Sequence, residues 1–106
     1  MKEINKDSFD EFIQAEGTPV LVDFWSPSCK PCLALKPKIE ALGEKYSEKI
    51  EVAAMNVADG NMRFAISKNV MGLPAVHIYK DGEKIYEASG EVDLDELEEN
   101  LNKAIG

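Results

Sequence analysis

The only two cysteines of the chain stand three residues apart, in Cys29-Lys30-Pro31-Cys32. Three kinds of chemistry use such a pair. A structural disulfide there would close a very short loop and remove little entropy from the unfolded chain, about 2 kcal/mol against about 4.7 kcal/mol for a 100-residue loop. A structural zinc ion wants four ligands, and the sequence offers two Cys and the single His77. An ion held within one chain is therefore short of a ligand, although a metal bridging two copies stays open. A redox dithiol fits its neighbours best. The attacking species is a thiolate, so the site must lower a thiol pKa. Cys29 falls where an extended run gives way to a helical pattern, and the free N–H groups and dipole of a helix start stabilise a negative sulfur. Lys30 adds a positive charge. Pro31 suits the first helical turn, because it needs no N–H partner there. Cys32, one turn further in, reads as the less exposed, resolving thiol.

The elements around this pair follow from hydrophobic spacing. Pro19 to Trp25 is short, β-branched and aromatic, which reads as a strand buried on both faces. Asp23 interrupts that run, as a solvent-facing residue at a strand end or as a buried acid with a function. From about Cys29 to Tyr46, the positions Leu35, Ile39, Leu42 and Tyr46 line one helix face, with Pro37 expected to kink it. Upstream, Ser8 and Glu11 have capping-box spacing ahead of Phe9, Phe12 and Ile13, with Gly17 as the stop and a weak strand around Glu3 to Asn5. Downstream, Ile50 to Val57 is a second central strand, and Met62, Ala65, Ile66 and Val70 suggest a third helix. Ala75–Lys80 and Glu83–Ala88 flank Asp81-Gly82 as a hairpin. Asp93 with Glu96 caps a last helix whose Leu94, Leu97, Leu101 and Ala104 share a face. Met55, Met62 and Met71 read as core fillers, and His77 as a packed strand residue. The order β-α-β-α-β-α-β-β-α implies an α/β fold, with a central mixed sheet of about five strands flanked by about four helices.

Composition bounds what such a fold does. At 106 residues the chain is expected to be one domain, residues 1–106. A net charge of −8 with no basic stripe argues against nucleic acid. No apolar run approaches the roughly 20 residues that cross a bilayer. Charges mixed through Met1 to Asp10 argue against a signal peptide, so a cytoplasmic monomer without membrane contact is expected. The acidic run Asp93 to Glu99 reads as a solvated helix face.

The ordered set Val22-Asp23-Phe24-Trp25-Ser26, Cys29-x-Pro31-Cys32, Pro37, Gly72-Leu73-Pro74, Lys80-Asp81-Gly82 and Gly90 resembles the thioredoxin family over essentially the whole length. The resemblance implies the thioredoxin fold and a protein disulfide reductase. In it Cys29 attacks, Cys32 resolves, and Asp23 is the buried acid that exchanges a proton with Cys32. It implies that Pro74 is a cis-proline across from the dithiol, that the backbone of Leu73 pairs with a substrate strand, and that Trp25 and Gly90 border the substrate groove. It implies no bound cofactor and no metal, protein disulfides as substrates, and a thioredoxin reductase as electron donor.

The chain also departs from that pattern. Ser28 stands where a second Trp is usual before the nucleophile, Lys30 where Gly is usual, and Glu91 at a groove edge that is often small and uncharged. A Lys that commonly neighbours the buried acid is replaced by Ala54. These changes point to altered partner choice, and a dedicated reductase is one form that it could take. The rival functions are a non-catalytic binding subunit of the same fold, and an exported disulfide oxidase or isomerase.

Overall fold

The computed structural model describes residues 1–106. Nine elements follow in order: β1 (Lys2–Glu3), α1 (Phe9–Ile13), β2 (Val20–Trp25), α2 (Lys30–Lys45), β3 (Glu51–Asn56), α3 (Met62–Ser67), β4 (Ala75–Lys80), β5 (Glu83–Ser89) and α4 (Leu94–Ile105). The strands form one sheet in the order β1-β3-β2-β4-β5. β1 and β2 run parallel to β3, whereas β4 is antiparallel to both β2 and β5. The five-stranded mixed sheet with four helices is the α/β architecture expected from the element order.

β2 lies at the centre, and its alternation divides the core. Val20, Val22 and Phe24 pack on one side with Phe9, Ile13, Ala53, Met55, Ala65 and Tyr79. Leu21 packs on the other with Leu35, Ile39, Leu42, Val76, Ile78, Leu97 and Leu101. α1 and α3 thus cover one face and α2 and α4 the other, which is why β2 reads as an almost unbroken apolar run. Successive strand residues point to opposite faces, so Asp23 and Trp25 share the α2 face with Leu21.

α2 runs through Pro37 without a break. Pro37 and Leu33, the residue whose carbonyl loses its i+4 partner, are both exposed, so water can take up that bond. At the hairpin, Asp81 and Gly82 both have positive φ, 53° and 82°, the requirement of a two-residue type I′ turn. The turn also docks on the end of α1. Asp81 Oδ1 accepts from the Gly17 N–H at 2.8 Å, and the Gly82 N–H donates to the Ile13 carbonyl at 3.1 Å. A Cβ on Gly82 would come within 2.8 Å of the Gln14 side chain.

Several local expectations are corrected. Ser8 precedes α1 but makes no capping bond. Its hydroxyl turns back to Asn5, whose Oδ1 accepts from Asp7 and Ser8 N–H at 2.8 and 3.1 Å. That Asx turn takes the place of the capping box. α1 ends at Ile13, four residues ahead of Gly17, and the first strand lies at Lys2–Glu3, slightly upstream of its expected place. Asp93 caps α4 through Asp95 and Glu96 N–H, but the Glu96 carboxylate does not complete the box, because it accepts from the Tyr86 hydroxyl. Met62, Ile66 and Met71 are 51%, 49% and 76% exposed and fill no core, whereas Met55 does. Met62 and Ile66 are four apart and share the outer face of a six-residue helix, whose inner side is held by Ala65.

Asn61 is a buried polar group at the sheet end that carries the cysteines. Its Oδ1 accepts from the Lys6 N–H at 2.9 Å, and its Nδ2 donates to the carbonyls of Asn56 and Asp59 at 3.0 and 3.2 Å. Asn61→Ala leaves those groups without partners and should lower the unfolding free energy by about 2 kcal/mol in urea titrations. Met62→Ala next to it should change stability by about 0.5 kcal/mol or less. Equal effects of the two would contradict this placement.

Candidate active site

β2 ends at Trp25, and the chain must leave the covered sheet there. It turns through Ser26 to Ser28 and enters α2, so the N-terminus of α2 stands at the C-terminal end of β2. Ser26 shapes this turn. Its carbonyl accepts from the Cys29 N–H at 3.1 Å, and its hydroxyl lies 3.0 Å from that of Ser28. The Ser28 N–H also donates to the Ser26 hydroxyl, at 3.3 Å. Ser28 is exposed, tied to the turn by its own side chain.

Cys29 is the N-cap of α2, in extended conformation, and Cys32 is the third residue of the helix. They form a disulfide with Cα atoms 5.2 Å apart. Cys29 is half-buried and Cys32 fully buried. Cys29 Sγ also accepts from the Cys32 N–H at 3.2 Å, so the sulfur sits where a cap oxygen would. A thiolate there meets a helix N-terminus with no acidic residue in the first turn. Both features favour the charged sulfur. Lys30 and Pro31 are exposed in that turn.

Opposite lies the start of β4. The Leu73–Pro74 peptide is cis. Phe24 pairs with Ala75 across the β2–β4 ladder, which sets Pro74 against Trp25 at the dithiol end of the sheet. Pro74 is buried and its carbonyl accepts from the Gly90 N–H at 2.8 Å. Gly90 has φ of +73°, and it and Glu91 are exposed beside this bond. Leu73 makes no backbone–backbone hydrogen bond, so its N–H and carbonyl are free for another strand.

Asp23 is buried, and neither carboxylate oxygen has a hydrogen-bond partner. It lies inside the sheet, two residues before the end of β2 that carries the dithiol, so the solvent-facing reading is excluded. Burial pushes its pKa up from 3.8 to about 7; Lys36 pulls it down and Glu3 pushes it further up. Ala54 stands beside Asp23 in register, so β3 brings no cation here. Lys36 of α2 brings one instead, with Nζ 3.6 Å from the Trp25 ring centroid and 3.4 Å from Glu3 Oε1. Trp25 is half-buried, and its Nε1 has no partner. His77 belongs to the other face, against Phe24, with Nδ1 2.9 Å from the Tyr79 hydroxyl. Burial holds it neutral, with a pKa near 4.

Sequence reasoning takes Ser26 only as the end of the Val22–Ser26 segment and Glu3 only as the start of a weak strand, and gives Lys36 no part. Only Lys36 carried a signal, as a charge four residues after Cys32 on an otherwise apolar helix face.

Comparison with known proteins agrees with this geometry. The family model for thioredoxin matches residues 1–103. A thioredoxin of Acetoanaerobium sticklandii is 44% identical over 92 residues, 86% of each chain. One from Peptoclostridium acidaminophilum is 40% identical over 104 residues, 97% of this chain and 90% of its own. Among solved structures, the short form of spinach chloroplast thioredoxin f has a TM-score of 0.90 to this fold at 28% identity, covering 99% of this chain and 93% of that one.

A carboxyl group whose pKa is raised by folding makes stability fall as pH rises. Between 3.8 and about 7 the unfolded chain has lost the proton that the folded chain keeps. The contribution is full below 3.8, and its loss is complete above about 7. At about 1.4 kcal/mol per pH unit, that amounts to about 4 kcal/mol. Asp23→Asn should therefore be more stable than the parent at pH 8 by up to this amount, and nearly equal to it at pH 4. Urea unfolding of the two oxidised proteins at both pH values checks this. A stability difference independent of pH would refute it.

Proposed function

The chain belongs to the thioredoxin family and is a thiol–disulfide oxidoreductase that reduces protein disulfides, and on that premise we propose the roles of its individual residues. The observation that carries the proposal is the asymmetry of the pair: Cys29 is half-buried at the N-cap of α2, and Cys32 is fully buried one turn inside. Cys29 thiolate attacks one sulfur of a substrate disulfide, forms a mixed disulfide and expels the other sulfur as a thiolate. Cys32 gives its proton to the Asp23 carboxylate and attacks Cys29 Sγ. The bond from Cys29 to the substrate breaks, and the second substrate thiolate leaves. The substrate has gained two electrons and Cys29–Cys32 is oxidised. A thioredoxin reductase returns the two electrons.

Lys30 supports the Cys29 thiolate from the exposed side, and Pro31 holds the first turn. The substrate lies over Trp25, Ser28, Leu73, Pro74, Gly90 and Glu91. The free backbone groups of Leu73 and the bond from Gly90 to Pro74 support this, since they give an extended segment something to pair with and a fixed edge beside it. The net charge of −8 supports a monomer, because it keeps copies of the chain apart. A cytoplasmic setting suits a reductase, since thiols are kept reduced there.

Two experiments test this reading. Cys32→Ser should accumulate mixed disulfides with substrates on non-reducing gels, and Cys29→Ser should accumulate none; the reverse pattern would exchange the two roles. The second concerns the reductase, which we take to be a dedicated one. Ser28 leaves the rim without an aromatic anchor, and losing an anchor costs about 2 kcal/mol, more than tenfold in affinity. A reductase that serves typical thioredoxins should reduce this protein poorly, and Ser28→Trp should recover roughly tenfold in kcat/KM. Efficient reduction of the parent with no gain in the variant would count against a dedicated partner.

A further inference from the structure

Ala54 leaves a gap in a row of side chains on the α2 face of the sheet. Glu3 on β1 and Asp23 on β2 both stand in register with Ala54 on β3. The three side chains therefore project from one face, two carboxylates with a single methyl group between them. Lys36 reaches this row from above. It stands four residues after Cys32, one turn along the same helix face. Its ammonium is held by Glu3 Oε1 at 3.4 Å and by the face of Trp25, two positions beyond Asp23 on the same strand. The Lys36 side chain is 25% exposed and that of Glu3 is 52% exposed. Glu3, Trp25, Lys36, Asn56 and Asp59 line a cleft of about 430 Å³, which opens this end of the row to solvent.

Few other charged groups face Asp23. β3 and β4 set Ala54 and Val76 beside it. α2 brings Lys36 and the dithiol, β1 brings Glu3, and Asp59 lies on the rim of the cleft. One cation thus stands between two carboxylates, one buried and one at the surface.

We propose that Lys36 is the positioning residue for the Asp23 proton, and that Glu3 competes with Asp23 for its charge. This rests on the reading of Asp23 as the proton acceptor for Cys32. Only an ionised Asp23 can take the Cys32 proton before Cys32 Sγ bonds to Cys29 Sγ and the substrate sulfur leaves with its electron pair. Drawn to Glu3, the ammonium leaves the buried carboxyl only about half ionised near neutral pH. Released from Glu3, it favours the carboxylate. The Glu3 charge also acts on Asp23 directly and in the same sense, so removing it lowers the Asp23 proton affinity by both routes.

The test uses Lys36→Met, Lys36→Arg and Glu3→Gln. In the oxidised protein the thiols do not titrate, and the Asp23 carboxyl can be followed by NMR. Lys36→Met should raise its midpoint and Glu3→Gln should lower it, each by roughly half a unit to one unit, while Lys36→Arg stays near the parent. A purely structural role for the pair would not move the midpoint in opposite directions. The acid limb of the single-turnover rate of Cys29 mixed-disulfide resolution should shift in the same two directions. Midpoints that do not move, or that move the same way in both charge-removing variants, overturn the proposal. So does a rate profile that follows Asp23 but ignores Lys36 and Glu3, and in that case the role of Asp23 stands. If instead Asp23→Asn resolves the mixed disulfide like the parent, the role of Asp23 falls and the proposal falls with it.

Discussion

A sheet covered by helices on both faces meets solvent only at its edges and at the ends of its strands. β2 is the central strand of such a sheet, with Val20, Val22 and Phe24 packed under α1 and α3, and Leu21 under α2 and α4. No reactive group can work from the middle of it. The chain has to come out at Trp25, and the turn held by Ser26 hands it straight to α2. The helix start that results has unsatisfied N–H groups, and Cys29 occupies the cap. The antiparallel return of β4 brings Pro74 to the same end. The reactive end of the molecule is thus a by-product of burying β2 completely.

Asp23 is the one place where that burial works against the chain. Neither of its oxygens has a partner, in a strand whose other inward positions are all apolar. A neutral carboxylic acid tolerates such a site far better than a carboxylate does. The group is therefore held close to its point of ionisation, and the fold carries that cost in the interior. Apolar packing on both sides of the sheet offsets it.

The parts of the fold that were legible in the sequence are those where local pattern and tertiary role agree. β2 reads as a strand buried on both faces because it is one. Asp81-Gly82 reads as a tight turn because both residues must take positive φ. Cys29, Pro31 and Cys32 lie in one short segment, and the strand and helix patterns on either side of it place that segment at a helix start. The misses share the opposite property. Ser8 has the right neighbours for a cap, but a nearer partner, Asn5, takes its hydroxyl. Met62 and Ile66 have helical spacing, but a helix of six residues buries only a narrow side. Lys36 and Glu3 are 33 residues apart and meet only because β1 pairs with β3 at Ala54. No window along the sequence contains that meeting.

The docking of the β4–β5 turn on α1 bears on the order in which the chain can assemble. Gly17 and Asp81 are 64 residues apart, and their hydrogen bond closes a loop that contains β2, α2, β3, α3 and β4. Forming it early would fix a long flexible chain for one bond, and the closure entropy makes that unfavourable. Once the sheet stands, the same bond comes at little further entropic cost. The turn therefore acts as a late latch, local in its own geometry and non-local in its effect. Interactions made after the barrier slow unfolding more than they speed folding. On that account the Asp81 hydrogen bond adds to the barrier against unfolding more than it speeds folding.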